Sequence, residues 1–397
     1  MYDHISQFEP LLPASSRRDA LLEKAHYLQR VALAAKGSAH ARVMLSIAPL
    51  LRAMNSYYTN RIEGQHTLPI EIEQALRQEF AINADTRRRQ RLAVAHMHTE
   101  AWAEAHAAHT NWPQLFEPEV IRVLHQHLFG QLPEQDRLGD HGDVLVPGEW
   151  RLREVSVGGH VAPRAAAVLL FLKRLAESYG RTRAGELAIV AVAAAHHRLT
   201  WVHPFIDGNG RVARLHSQVL LQGLGLTNGV WSPLRGLARS QPRYYELLAH
   251  ADLPRRNDLD GRGRLSEEGL MAFCDYFLDV CIDQAAFMSR LLDMQTMKDR
   301  IAACLAFESQ REGSGIRMEA LAAMHYLFLG GPMDRGAFKA LTGLAPRTAD
   351  RLLQALLARD LLVSDTPKGA IRFGVPLHAL RFYFPALWPE AEAGSHS

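Results

Sequence analysis

Three cysteines in 397 residues are too few for a disulfide framework. Cys274 and Cys281 stand seven apart in one apolar helical stretch and Cys304 lies in another, so buried thiols in a reducing compartment are expected. Long apolar runs are missing too. The most apolar stretch, Leu187 to Ala195, is too short to span a bilayer and consists largely of alanine and valine. The first residues, Met1-Tyr2-Asp3-His4-Ile5-Ser6, show no basic region followed by an apolar run, so no signal peptide is visible. A cytoplasmic protein without a membrane partner is the resulting expectation. A dominant charge sign is also absent: 45 Lys and Arg against 42 Asp and Glu leave +3, too little to argue for nucleic acid alone. No Cys or carboxylate stands at ligand spacing from His196-His197, so that pair reads as helix packing or surface rather than a metal site. No internal repeat stands out.

What is present is the composition of a soluble globular protein, 48% hydrophobic and 22% charged, with length enough for two or three domains. Apolar residues recur at helical spacing over 19–35 (Leu21, Leu22, Ala25, Leu28) and 41–62 (Val43, Leu45, Ile47, Leu50, Leu51, Met54). Further helices are expected at 70–82, 86–110, 117–129, 164–179, 185–200, 211–225, 241–251 and 266–308. The exception is 148–163. There Arg151, Arg153 and Ser156 interleave with Trp150, Leu152, Val155 and Val157 before Gly158-Gly159, the pattern of a short β-hairpin. The tail after Trp388, rich in Ala, Glu, Gly and Ser, is expected to be disordered.

The most informative stretch runs His203-Pro204-Phe205-Ile206-Asp207-Gly208-Asn209-Gly210-Arg211-Val212-Ala213-Arg214. A Gly-Asn-Gly turn can curl its N–H groups inward as a nest for phosphate oxygens. Val212, Leu215 and Val219 then space as a helix, which would put the nest at a helix N-terminus. Arg211 and Arg214, three apart, share a face and could grip one polyphosphate. Asp207 is a hard oxygen ligand of the kind Mg²⁺ uses beside phosphates. His203 is free to take a proton from a hydroxyl.

This string fits H-x-F-x-[DE]-G-N-G-R-x-x-R at every fixed position, and the chain resembles the Fic family of protein AMP-transferases. The resemblance implies His203 as general base and Asp207 as the Mg²⁺ ligand. It implies a nucleotide cradle of Gly208, Asn209, Gly210, Arg211, Val212, Ala213 and Arg214, with Phe205 anchoring the loop. Kinase-like relatives carry Lys in place of the second motif glycine, so the intact Gly210 favours nucleotidyl transfer. The hairpin at 148–163 resembles the family's flap, which implies that Val157, Gly158, Gly159 and His160 border ATP. Its edge would grip an extended segment of a protein substrate by main-chain hydrogen bonds. Tyr244 and Tyr245 match a family tyrosine pair near the adenine; core packing and base stacking both stay open for them. Asp252 stands where an Asn is more usual and carries no role.

Thr59-Asn60-Arg61-Ile62-Glu63-Gly64 closes the second expected helix. Gly64 suits a left-handed cap, and Glu63 falls in the last turn, where the helix dipole disfavours a carboxylate and a partner cation would relieve it. Thr59, Glu63 and Gly64 match the family's inhibitory pattern [ST]-x-x-x-E-[GN]. The resemblance implies that Glu63 pairs with Arg214 and keeps it from the γ-phosphate of ATP.

Residues 314–375 read as a separate unit: helices at 318–329, 334–342 and 346–359, then a strand–turn–strand around Thr366-Pro367-Lys368-Gly369, the winged-helix plan. Leu352, Leu353, Leu356 and Leu357 face inward, with Arg347, Arg351 and Gln354 outward. That outer face could enter a DNA major groove, or serve as a solvated or protein-docking surface.

The combined expectation is a mainly α fold, with a Fic-type helical core, a β-hairpin flap and a C-terminal winged helix. Its divisions are an inhibitory helical region at 1–95, a catalytic core at 96–310, the winged helix at 311–376 and a tail at 377–397. The expected function is autoinhibited transfer of AMP from Mg-ATP to a Ser, Thr or Tyr hydroxyl, self-modification included. Transfer of another nucleotide, removal of AMP, and a DNA-binding regulator with a nucleotide-sensing core are the alternatives. A homodimer is left open.

Overall fold

The computed structural model describes residues 2–38, 41–139, 142–182, 185–292, 294–385 and 387. The tail expected after Trp388 lies outside them. The first helices are α1 (Asp19–Ser38), α2 (Ala41–Ile62), α3 (Pro69–Leu76), α4 (Ala84–Ala107) and α5 (Pro118–Gly130). A hairpin of β1 (Ser156–Val157) and β2 (His160–Val161) follows. Next come α6 (Val168–Tyr179), α7 (Glu186–Val202), α8 (Asn209–Gly223), α9 (Leu234–Arg239), α10 (Gln241–Asp252) and α11 (Glu267–Leu291). The chain continues through α12 (Met294–Ser309), α13 (Leu321–Gly330), α14 (Arg335–Thr342) and α15 (Pro346–Ala358), then β3 (Leu362–Val363), β4 (Arg372–Phe373) and α16 (Leu380–Tyr383). The protein is mainly α, as its periodicity predicts.

Helix α7 is the axis of the fold. Residues 188–195 are all buried, so the alanine-rich run that could not span a membrane is a helix enclosed on every side. Its small side chains let α1, α6, α8, α10 and α11 close around it. Its C-terminus delivers His203, and α8 starts six residues later. Helix α2 packs against α4 and α9 and touches α8, which brings its C-terminal turn over the start of α8. Local chemistry sets several boundaries. Asn83 caps α4 by accepting from the Thr86 N–H (3.0 Å), and Ser266 caps α11 by accepting from Gly269 (2.9 Å). All three cysteines are free and buried.

Helices α12 to α16 pack together. Strand β3 pairs antiparallel with β4, Leu362 opposite Phe373 and Val363 opposite Arg372. Buried Glu308 of α12 accepts from Arg359 at 2.9 and 3.1 Å. This unit leans on α2: α13 rests against it, and the Tyr58 hydroxyl donates to the Leu387 carbonyl (3.2 Å).

Several expectations are corrected. The helix expected over 266–308 is two, α11 and α12. The one expected at 70–82 stops at Leu76, two residues before Gln78 adopts φ +64. Helix α9 was not anticipated, being only six residues long. Within the stretch expected as a tail at 377–397, Leu380, Tyr383, Phe384 and Leu387 are buried. Among the described residues no helix is long and apolar enough to cross a membrane.

Candidate functional site

The loop between α7 and α8 is held by its own side chains. His203 caps α7 in the left-handed region, φ 50° and ψ 62°, while its N–H still donates to the Leu199 carbonyl (3.2 Å). Phe205 is fully buried, stacked on His125 at 3.9 Å between centroids and on Trp150 at 5.0 Å. Asn209 clasps Phe205 from both sides: its Oδ1 accepts from the Phe205 N–H (2.9 Å) and its Nδ2 donates to the Phe205 carbonyl (2.9 Å). Gly208 sits at φ +81°, and a Cβ there would run into the Phe129 ring, so both backbone and space require glycine. His125 ties this loop to the flap. Its Nδ1 accepts from the Gly148 N–H (2.9 Å) and its Nε2 faces the Asp207 carbonyl (3.3 Å). Burial pushes its pKa down to about 4, which keeps it neutral.

His203 is partly buried, and burial first, then the charges of Arg151 and His160, push its imidazole down to about 4. A hydrogen bond to the Thr200 backbone engages the ring and works against that lowering. At neutral pH the imidazole is therefore unprotonated and able to accept a proton. Asp207 is partly buried; its carboxylate accepts from the Gly208 N–H and its Oδ2 borders Gly139. Among the described residues no three His, Cys, Asp or Glu side chains gather into a metal cage. A single carboxylate beside an anion site suits Mg²⁺, which brings its own waters and phosphate ligands.

The first intrahelical bond of α8 runs from the Val212 N–H to the Gly208 carbonyl (3.0 Å), so the N–H groups of residues 209–211 precede it at the positive end of the helix dipole. Arg211 and Arg214 are both buried. Arg211 donates from Nε to Asn60 Oδ1 (3.1 Å), while its buried Nη2 has no hydrogen-bond partner among the described residues. A buried cationic donor left over beside a helix N-terminus fits an anionic ligand. Arg214 is held by α2: Nε donates to Thr59 Oγ1 (2.8 Å), and Nη2 to the Thr59 carbonyl (3.3 Å) and the Glu63 carboxylate.

Glu63 lies one residue beyond α2, not in its last turn as expected, and Gly64 follows at φ +71°. Burial raises the Glu63 pKa, but the charges of Arg214 and Arg211 outweigh it, so the group is held below the ordinary carboxylate value. Its carboxylate fills the space above Gly210, where a Cβ would strike it and come within 3.1 Å of Arg214 Nη1. Tyr245 Oη (2.8 Å) and Gln241 Nε2 (2.7 Å) both donate to the Ile62 carbonyl, fixing the end of α2.

The flap is shorter than its sequence pattern. Only Ser156↔Val161 and Val157↔His160 pair, around Gly158 at φ +56°. Val157, Gly158 and Gly159 are exposed, and the His160 ring bonds the Trp201 carbonyl (2.8 Å). Before the strands the expected alternation inverts: Arg151 is buried at 1% exposure while Leu152 is 84% exposed. Arg151 belongs to the site, since it donates to the His203 carbonyl (2.7 Å); a hairpin pattern could not single it out.

Other expected site residues have different surroundings. Val212 and Ala213 are buried with the core, and the Val212 N–H is spent on Gly208. Tyr244 is buried, with its hydroxyl 2.7 Å from His196 Nε2, whose Nδ1 lies 2.7 Å from Ser217 Oγ. Of the two alternatives, core packing holds for Tyr244. His197 is buried as well and bonds Asp252, 3.1 Å from Nε2 to Oδ1.

Residues 115–221 match the profile of the Fic/DOC family. The protein adenylyltransferase Fic of Drosophila persimilis is 35% identical over 133 residues, 33% of this chain and 23% of that protein. Its namesake from Drosophila mojavensis is 32% identical over 134 residues, 34% of this chain and 26% of that protein. The match thus spans a minor part of those curated relatives. In fold, a Fic family protein from Desulfovibrio desulfuricans G20 aligns with TM-score 0.52 at 16% identity, covering 90% of this chain and 97% of that one. Fic-1 from C. elegans aligns with TM-score 0.51 at 16% identity, covering 72% and 76%. The chain thus carries, at residues 115–221, a domain of the Fic/DOC family.

Proposed function

We propose that this chain is a protein adenylyltransferase that moves AMP from Mg-ATP to a Ser, Thr or Tyr hydroxyl of a protein, itself included, and that Glu63 restrains it. The observation that carries the reading is the grouping, on one loop and the helix after it, of a neutral imidazole, a carboxylate, a helix N-terminus and two buried arginines. The names of the curated relatives support the same chemistry.

In this reading the free ring nitrogen of His203 takes the hydroxyl proton. The hydroxyl oxygen bonds to the α-phosphorus as the bond from that phosphorus to the β-phosphate bridge breaks, and pyrophosphate leaves. Arg211, Arg214 and the start of α8 hold the phosphates and take up developing charge. Phosphate charge brought near His203 opposes the effects that lower its pKa, which makes it a better base once ATP is bound. Asp207 would hold Mg²⁺, which when bound neutralises phosphate charge. The Asn209 amide, occupied by Phe205, shapes the loop and leaves phosphate binding to the backbone and arginines. While Arg214 is tied to Glu63 and Thr59 it is withheld from the terminal phosphate.

The flap's exposed edge suits a protein target added as an extended strand. Helix α15 turns Arg347, Arg351 and Gln354 outward, a face open to DNA or to a protein if this unit works as a winged helix. A second reading, removal of AMP with Glu63 aligning a water, is favoured by one fact: the Glu63 side chain keeps 26% exposure within electrostatic reach of His203. Incubation of lysate with labelled ATP tests the proposal. Label on protein should rise with Glu63→Gly and vanish with His203→Ala, while calorimetry shows ATP binding retained. Loss of ATP binding in His203→Ala would make that residue structural.

A further inference from the structure

We propose that Arg151 is a positioning residue that joins the flap to the backbone of the base, so that the edge receiving the acceptor and the group receiving its proton move as one piece. Its guanidinium reaches four carbonyls. Nε donates to His203 (2.7 Å), Nη1 to Arg153 (2.9 Å), and Nη2 to Pro163 and to Val202 (3.5 Å). The Arg151 N–H donates to the Pro204 carbonyl (2.9 Å). These partners are the two flanks of the flap hairpin, Arg153 before it and Pro163 after it, and the three consecutive residues that end α7 and start the motif loop.

The chemistry singles out arginine. Five N–H donors in a rigid planar fork can serve divergent carbonyls at once, whereas a lysine ammonium is a compact point on a flexible stem. The side chain is fully buried, yet among the described residues its one acidic neighbour, Glu154, is half-exposed and 3.8 Å away, beyond hydrogen-bond range. Burying a cation on carbonyl dipoles alone is expensive, and a stitch for one turn needs no such group. What this cation adds is a fixed positive charge beside the His203 imidazole and a clamp on the carbonyl of a left-handed residue. Neighbouring side chains reinforce the junction: Trp150 stacks on Phe205, and Gly148 donates to His125.

The proposal rests on His203 as the base, so its test has one arm independent of transfer. In that arm, NMR follows the His203 titration and flap amide exchange in wild type, Arg151→Lys and Arg151→Gln. Removing the charge in Arg151→Gln should move the His203 midpoint upward, while Arg151→Lys keeps it near wild type. Both should speed exchange at residues 155–162. The second arm measures self-modification in the Glu63→Gly background. Arg151→Lys should lower kcat on the order of 10- to 100-fold, the effect of a small misplacement of a catalytic group, with KM for ATP unchanged. A Glu63→Gly protein without adduct would sink the transferase reading while leaving the first arm standing. An unmoved His203 midpoint in Arg151→Gln, or wild-type kcat in folded Arg151→Lys, would make Arg151 an ordinary loop stitch. Should Arg151→Gln fail to fold, Arg151→Lys still decides through its split between kcat and KM.

Discussion

Replacing Glu63 with Gly removes one partner of a pair whose other member, Arg214, is 1% exposed while the Glu63 side chain is 26% exposed. Breaking a fully buried pair costs about 3–5 kcal/mol, and an exposed pair is worth about 0–1 kcal/mol. With one side partly wet, about 2 kcal/mol is a reasonable midpoint. If Arg214 must leave Glu63 before it can hold the terminal phosphate, lifting that cost should raise self-modification roughly 30-fold. Thr59 still binds Arg214 at 2.8 and 3.3 Å, so the arginine stays ordered. Without nucleotide the variant should melt a few degrees lower, and Mg-ATP should stabilise it more than wild type. Burial raises the Glu63 pKa, but Arg214 and Arg211 bring it below the unfolded value. The pair's contribution is therefore complete above the ordinary carboxylate pKa and is lost only as pH falls through the folded one. The restraint should not vary between about pH 6 and 8. The mechanism also demands that Arg214→Ala in the Glu63→Gly background cancel the gain, a strong non-additivity. Label in folded, ATP-binding Glu63→Gly no higher than wild type would refute the reasoning.

Further predictions concern the buried titrating groups and the motif loop. Burial holds His125, His203 and His216 near 4, so below the ordinary 6.5 the unfolded chain binds protons the folded one refuses. Stability should fall as pH drops from 6.5 to 4, with at least about two protons taken up on unfolding at pH 5 by calorimetry in buffers of different ionisation heat; uptake below one would contradict this. Burial, then the charge of Glu104, pushes Glu100 up to about 8, while Asn55 and Gln218 each donate to its Oε1 at 2.6 Å. Its penalty grows as pH rises from 4.5 to 8, so Glu100→Gln should gain melting temperature over wild type between pH 5 and 8; an equal difference at both would exclude the shift. Gly208→Ala combines a positive φ with collision against Phe129 and should cost about 2–4 kcal/mol, against about 1 kcal/mol for Gly64→Ala, which has open space. Equal denaturation midpoints for the two would show that the loop yields.

Helices were legible where a long apolar stripe repeated, and α7 was legible as a helix too short to span a bilayer, while its place at the centre of the core came only with the structure. The contiguous motif was legible because its residues are neighbours in sequence as well as in space. Reading a role from a position inside the motif was less safe. Asn209 spends its amide on Phe205, and Val212 and Ala213 are buried with the core, since a helix faces its successive side chains in different directions. Arg151 was hidden because alternation in a hairpin assigns charge to solvent, and only the long-range bond to His203 overrides it. Glu63 and Arg214 lie 151 residues apart, and their meeting depends on α2 crossing α8. Periodicity holds no information about that crossing; only the resemblance supplied it.

The central claim is transfer of a nucleotidyl group by the His203 site, and the position of a label tests it most directly. Glu63→Gly protein is incubated with ATP carrying the label on the α-phosphorus or on the γ-phosphorus, alone and with His203→Ala added. The account predicts protein-bound label from the α-position only, lost when His203 is replaced. Label retained from the γ-position, or α-label that survives the loss of His203, would contradict it.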